Sequence, residues 1–235
     1  MKDNDGKVEL VKALNGRSVR VRGHWLFCVK CERRADYIVL PDVIANWANY
    51  VTVWGRGDQC GERRVFTDPS GSFSRKQLRR WQQHADAVPW LVNPVEVGDR
   101  LLMPDDHPLG IKWMGDQSAR ECFVDECVPM AIYDETVPGE HRPLGDRVLL
   151  KETGATEHDL DGDIVRPDVG EHHANRGLVV ALGSGVRGYK SGDEIPFEFA
   201  VGEEVLFNRW EAHDIQVRGE TFMLVRERFI DARVT

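Results

Sequence analysis

Three landmarks occur twice in this 235-residue chain, in the same order. Leu14, Arg17, Val19 and Val21 match Leu144, Arg147, Val148 and Leu150. Ile38-Val39-Leu40-Pro41-Asp42 matches Ile164-Val165-Arg166-Pro167-Asp168. VEVGDRLLM at 95–103 matches FAVGEEVLF at 199–207. The paired landmarks stand 130, 126 and 104 residues apart. A pattern repeated at this length predicts one fold used twice, which constrains the chain more than its composition does. The changing offsets predict that copy one is four residues longer before the second landmark and 22 longer between the second and third. The expected organisation is a first domain at 1–135, a linker at 136–141 (TVPGEH) and a second domain at 142–235, with an insertion at about 58–94 in the first.

Within each copy the pattern is that of β-structure. YVTVW (50–54) and GLVVAL (177–182) are short β-branched runs stopped by Gly-x-Gly turns, and EEVLF (203–207) follows a Val-Gly turn. TFMLVRERF (221–229) reads as one strand or a pair of short ones. Short strands joined by glycine-rich turns predict an all-β protein with one small antiparallel barrel per copy. The insertion differs. SRKQLRRWQQHADAV (74–88) puts Leu78, Trp81, Ala85 and Val88 on one helical face, and Ser74 with Gln77 has the spacing of a capping box.

Composition excludes several classes. A net charge of -8 argues against nucleic acid or an anionic membrane as the main partner. No apolar run approaches the ~18–20 residues of a membrane span. The start, MKDNDGKVEL, has neither a basic-then-apolar signal nor an acid-poor transit pattern, and five cysteines without an export signal suggest reduced thiols. A cytoplasmic protein is the expectation.

The second copy carries a longer string: RPLGDRVLLK (142–151), GDIVRPD (162–168), RGLVVALGSG (176–185) and VGEEVLFN (201–208). In order and spacing it resembles the GroES-type co-chaperonins, the chaperonin-10 family. Copy one looks like a diverged member over about residues 10–134, an arrangement similar to the tandem co-chaperonins of plastids. The resemblance implies two tandem GroES-like β-barrels with a helical insertion in the first. It implies a lid, itself a ring-shaped homo-oligomer, that caps a GroEL-type chaperonin ring around unfolded client proteins. It implies no catalysis and no cofactor in this chain, since ATP is bound and hydrolysed by the partner. Carried over by position, the chaperonin-binding residues of the mobile loops are Ile38, Val39 and Leu40 in copy one and Ile164, Val165 and Arg166 in copy two. Arg166 replaces an apolar residue, so the first loop is expected to be the stronger anchor. A sevenfold partner does not divide evenly among two-domain chains, and the unequal triplets lean toward stacked rather than side-by-side copies.

Exposed apolar triplets in flexible loops suit such a task. Each aliphatic side chain contributes roughly 1.5–3 kcal/mol on burial before the ordering cost, and a ring of loops gains affinity through effective concentration.

Other motifs are weaker. GSGVRG (183–188) fits G-x-G-x-x-G, but turn and strand sequence follows where a dinucleotide site needs a helix. CVKC (28–31) is half of a zinc site; Cys28, Cys31 and Cys60 are candidate metal ligands, with a redox pair and plain cysteines as the other readings. Both CVKC cysteines are expected on the first mobile loop. GEHH (170–173) lacks ligand spacing and reads as solvated. Two other functions compete: a non-chaperonin binding module, and a zinc-dependent dehydrogenase-like protein, which would also need a nucleotide-binding domain of ~150 residues.

Overall fold

The computed structural model describes residues 10–13, 18–31, 50–63, 74–77, 79–80, 89–104, 110–114, 120–153 and 176–234. They are mostly β-strand. A short hairpin, β1 (Leu10–Lys12) and β2 (Ser18–Arg20), comes first. The first large sheet uses β3 (Trp25–Lys30), β4 (Tyr50–Arg56), β6 (Arg100–Leu102), β7 (Ile111–Trp113), β8 (Glu121–Asp125), β9 (Ala131–Tyr133) and β10 (His141–Pro143), in the order β10-β9-β6-β4-β3-β8-β7. The second uses β11 (Arg147–Glu152), β12 (Arg176–Leu182), β15 (Glu204–Phe207), β16 (His213–Val217), β17 (Glu220–Arg226) and β18 (Ile230–Val234), in the order β16-β17-β11-β12-β15-β18. A third, small sheet joins β5 (Trp90–Leu91) to the hairpin of β13 (Val186–Arg187) and β14 (Glu194–Ile195).

Read in reverse, the second large sheet has the strand order of the first, apart from β10. The registers agree as well. Leu26↔Arg56, Phe27↔Gly55 and Cys28↔Val53 in β3–β4 correspond to Val148↔Leu182, Leu149↔Ala181 and Leu150↔Val179 in β11–β12, with a bulge at the same step. Cys28↔Cys122 and Val29↔Glu121 in β3–β8 correspond to Leu150↔Met223 and Lys151↔Phe222 in β11–β17. The turns repeat too. Gly98 N–H donates to Val53 O at 2.8 Å and Val53 N–H to Asp99 O at 2.9 Å; Gly202 N–H donates to Val179 O at 2.8 Å and Val179 N–H to Glu203 O at 2.9 Å. Gly98 and Gly202 have φ of 101° and 93°, a region an L side chain resists, which is why both turns read Val-Gly.

These pairings retain the sequence offsets of 126 and 104 and revise the first one. The counterpart of β11 is β3, 122 residues earlier, whereas Val19 belongs to the β1–β2 hairpin. Leu14 and Arg17 lie outside the described residues. Strand β3 (WLFCVK) shares almost no letters with β11 (RVLLKE), so letter matching passed over it. The connector before the second landmark is therefore four residues shorter in the first sheet, not longer.

The expected linker is folded. Residues 138–140 form a 3₁₀ turn in which Gly139 is buried, and His141 opens β10, which pairs with β9. Of the expected helix, residues 75–77, 79 and 80 are described and helical. Ser74 N–H and Oγ–H both donate to Gln77 Oε1, at 2.9 and 2.8 Å, and Gln77 N–H donates back to Ser74 Oγ at 3.3 Å, which is the capping box. Among the described residues no helix is long and apolar enough to cross a membrane.

Each large sheet buries its own core. Leu26, Val53, Leu101 and Val124 centre the first; Val148, Leu150, Val205 and Met223 centre the second. Between them, Leu102, Met130 and Ala131 pack on Leu149, Phe222 and Leu224.

Candidate functional site

The two apolar triplets fall in equivalent connectors. The strand pairs beneath them end at Lys30↔Val51 in the first sheet and at Glu152↔Gly177 in the second. Ile38, Val39, Leu40, Ile164, Val165 and Arg166 themselves lie outside the described residues, as does GEHH. The described residues are the strand ends that flank each connector. Lys30 N–H donates to Arg120 O at 2.8 Å and Cys31 N–H to Tyr50 O at 3.1 Å, closing the first connector at its base. In the second, Thr153 Oγ–H donates to Glu204 Oε1 at 2.9 Å. Each connector starts and ends on adjacent, antiparallel strands of one sheet.

Two of the candidate metal ligands, Cys28 and Cys60, share the first core, and Cys31 lies outside it. Cys28 sits on β3 instead of in the connector, with its thiol in the first core beside Cys60 and Cys122. Cys31, three residues on along an extended chain, falls on the other face, and its Sγ lies 3.3 Å from Thr52 Oγ1. Cys60 Sγ–H points at Gly23 O and Trp25 O, at 3.7 and 3.6 Å. Burial pushes Cys28 well above the usual thiol value, with Cys122, Cys60 and Cys31 adding to it. Burial also raises Cys60 to about 11 and Cys122 to about 12. Among the described residues no group of three or more His, Cys, Asp or Glu side chains could hold a metal ion.

Two polar clusters that sequence reasoning passed over hold the frame together. Glu126 is 4% exposed. One of its oxygens lies 2.6 Å from His24 Nδ1; the other accepts from Gly61 N–H at 2.6 Å and Asn93 Nδ2–H at 2.9 Å. It thereby clips both ends of the inserted segment to β8. The second cluster is at β9–β10. His141 Nδ1–H donates to Gly139 O at 2.6 Å, so the neutral ring's Nε2 accepts from Tyr50 O–H at 2.5 Å. Tyr133 packs edge-on against both rings. Burial lowers His141 below the usual histidine value and raises Tyr50 to about 12. No spacing in the sequence marks either cluster, because each is assembled from residues far apart in the chain.

Comparison with known proteins bears on the second sheet. The sequence model of the family described as Chaperonin 10 Kd subunit matches residues 140–234. The co-chaperonin GroES of Coprothermobacter proteolyticus is 40% identical over 95 residues, which are 40% of this chain and 95% of that protein. That of Chlamydia felis is 36% identical over 96 residues, 40% of this chain and 90% of its own length. That of Geobacter metallireducens is 40% identical over 86 residues, 37% of this chain and 88% of its own length. The chain belongs to the chaperonin 10 family.

The chaperonin 10 match spans β10 to β18, and so takes in the connector carrying Ile164, Val165 and Arg166. It also includes β10, a strand that pairs with the first sheet. GSGVRG leads into the β13–β14 hairpin, so the glycines serve a turn and no helix follows to cradle a pyrophosphate. The capped helix lies outside the chaperonin 10 match. Its Arg75, Lys76, Arg79 and Arg80 are exposed, and none has an acidic partner among the described residues.

Proposed function

We propose that this protein is a co-chaperonin made of two chaperonin-10 units in tandem, at 1–135 and 142–235, which caps a GroEL-type chaperonin ring and encloses unfolded clients. The observation that carries this reading is the strand-by-strand and register agreement of the two sheets. One of them spans nearly the whole length of GroES relatives. The family match alone would support a co-chaperonin of one unit. The register agreement extends it to residues 25–133.

On this reading the connectors are the docking loops. Ile38, Val39 and Leu40 anchor the first; Ile164 and Val165 anchor the second, more weakly because Arg166 brings a charge where an apolar side chain would be buried. Both triplets lie 12 residues before the next strand, at Tyr50 and Arg176, while the approach from the preceding strand is four residues shorter in the first connector. The chain supplies the lid and the partner supplies ATP hydrolysis.

The test is to add the purified protein to a chaperonin ring with ATP. Co-elution with the ring and a lowered ATPase rate are expected. Leu40→Asp should weaken binding at least tenfold, and Arg166→Ala should change it less than threefold. Equal effects of the two substitutions would sink the loop asymmetry. Absence of any ring interaction would sink the co-chaperonin reading in favour of a binding module with another partner.

A further inference from the structure

Charge is distributed unevenly along this chain. Residues 64–88 carry five Arg and Lys against two Asp, a net +3, while the rest of the chain carries 26 against 37, a net -11. Four of those five cations fall within six residues, as Arg75, Lys76, Arg79 and Arg80. All four are exposed, and they line one common concavity. None has an acidic partner among the described residues.

This placement works against the local structure. The Ser74–Gln77 capping box fixes where the helical residues begin, so all four cations sit in the first two turns. There they meet the positive end of the helix dipole. Arg75 with Arg79 and Lys76 with Arg80 are also like charges one turn apart, which repel. An anion seated among them relieves both costs. A cluster that local chemistry disfavours, and that no described carboxylate neutralises, marks a surface directed at something outside the chain. The segment that carries it is rooted at both ends. Gly61 N–H and Asn93 Nδ2–H, at its two stems, donate to the same oxygen of Glu126, at 2.6 and 2.9 Å. Arg56 Nη2–H donates to Cys60 O and Asn93 O, at 3.0 and 3.2 Å, and ties the stems a second time. Arg63 lies over the Tyr189 ring, 3.8 Å from its centroid, and Trp90–Leu91 pairs with Val186–Arg187.

We propose that Arg75, Lys76, Arg79 and Arg80 form a docking face for an acidic, extended stretch of polypeptide. The rows Arg75–Lys76 and Arg79–Arg80 stand one turn apart, about 5–6 Å along the helix. Carboxylates on alternate residues of an extended chain are about 6.5–7 Å apart, so two of them meet the two rows in register. Each arginine fork offers a carboxylate two parallel N–H bonds, which a lysine cannot reproduce. A nucleic acid fits less well. Its charge is uniform and continues past the patch over a body of net -11, whereas an acidic stretch of polypeptide gives way to uncharged residues. The inference goes beyond the co-chaperonin reading and stands without it, because the four cations lie outside the chaperonin 10 match. With that reading, the occupant is an acidic stretch of an unfolded client.

The test is fluorescence anisotropy of a labelled short peptide of alternating Glu and Ser, titrated with the full chain and no chaperonin. A matched peptide of alternating Gln and Ser and a single-stranded RNA of the same length serve as comparators. The Glu peptide is expected to bind saturably and to weaken steeply as salt is raised, and the Gln peptide not to bind. Arg79→Gln with Arg80→Gln should weaken the Glu peptide by about tenfold or more, with unchanged circular dichroism. Arg79→Lys with Arg80→Lys keeps the charge and loses the fork, and should fall between the two. No binding of the Glu peptide, or binding untouched by the Gln substitutions, overturns the docking face. Tighter binding of the RNA than of the Glu peptide overturns the choice of occupant. Chaperonin binding is read separately. Ring capping by a chain that binds no acidic peptide would sink this face and leave the co-chaperonin reading standing. Peptide binding by a chain that caps no ring would do the reverse.

Discussion

His141 is where a single side chain makes the stability depend on pH. Its ring is buried between Tyr50 and Tyr133 and works only when neutral, with Nδ1–H donating and Nε2 accepting. Burial puts its native-state value below the ordinary 6.5, so between the two values the native protein binds fewer protons than the unfolded chain. The stabilisation is therefore complete above about 6.5 and is lost as pH falls through the depressed native value. Urea unfolding at a series of pH values from 7.5 to 5 should show falling stability, and His141→Phe should flatten that fall. Gly57 and Gly183 impose a different constraint. A Cβ on Gly57 would sit 2.2 Å from Gly23 O, and one on Gly183 would sit 2.2 Å from Gly145 O. Their amides donate to Trp25 O and Arg147 O at 2.9 and 2.8 Å. Gly183→Ala is expected to lower stability by about 2–3 kcal/mol, read as a shift of the urea midpoint. The sequence displays both glycines as turn residues. The carbonyl that excludes a methyl group becomes visible only when the strands are paired.

At the scale of elements, the inserted segment depends on one buried carboxylate. Glu126 reaches His24, Gly61 and Asn93, which belong to three different parts of the chain. Glu126→Ala leaves those donors facing a buried gap and is expected to cost about 3–5 kcal/mol, measured by denaturant unfolding. Hydrogen exchange should quicken at Gly61 in the same variant. The helical residues 75–77, 79 and 80 illustrate what capping chemistry can reveal unaided. Ser74 and Gln77 are three residues apart, and their mutual hydrogen bonds need no distant partner. Strand β5 is the opposite case. Trp90 and Leu91 form a strand only because Arg187 and Val186, from the far half of the chain, offer an edge.

At the scale of the whole molecule, the contact between the two large sheets determines how it unfolds. Leu102, Met130 and Ala131 lock the first sheet onto Leu149, Phe222 and Leu224 of the second, so a single cooperative transition is expected in calorimetry. Leu102→Asp buries an unpaired carboxylate in that contact and should split the transition in two. Leu206→Asp places the same group at the equivalent but exposed position and should leave single-chain unfolding unaltered. The contrast between two matched leucines measures what the sheet-to-sheet contact contributes.

The sequence by itself determined the β-rich character, the Ser74–Gln77 capping box, the chaperonin-10 resemblance of the C-terminal part and the repeat offsets of 126 and 104. Those features rest on local chemistry: alternation of apolar residues, turn glycines and hydroxyl caps, all readable within a few residues. Only the tertiary structure decided that β3 is the counterpart of β11, that the cysteines of CVKC point apart and that β10 pairs with β9. Each of these depends on which strand lies alongside which. A buried position accepts any apolar side chain of suitable volume, so WLFCVK and RVLLKE can occupy the same place in a sheet without sharing a recognisable pattern of letters.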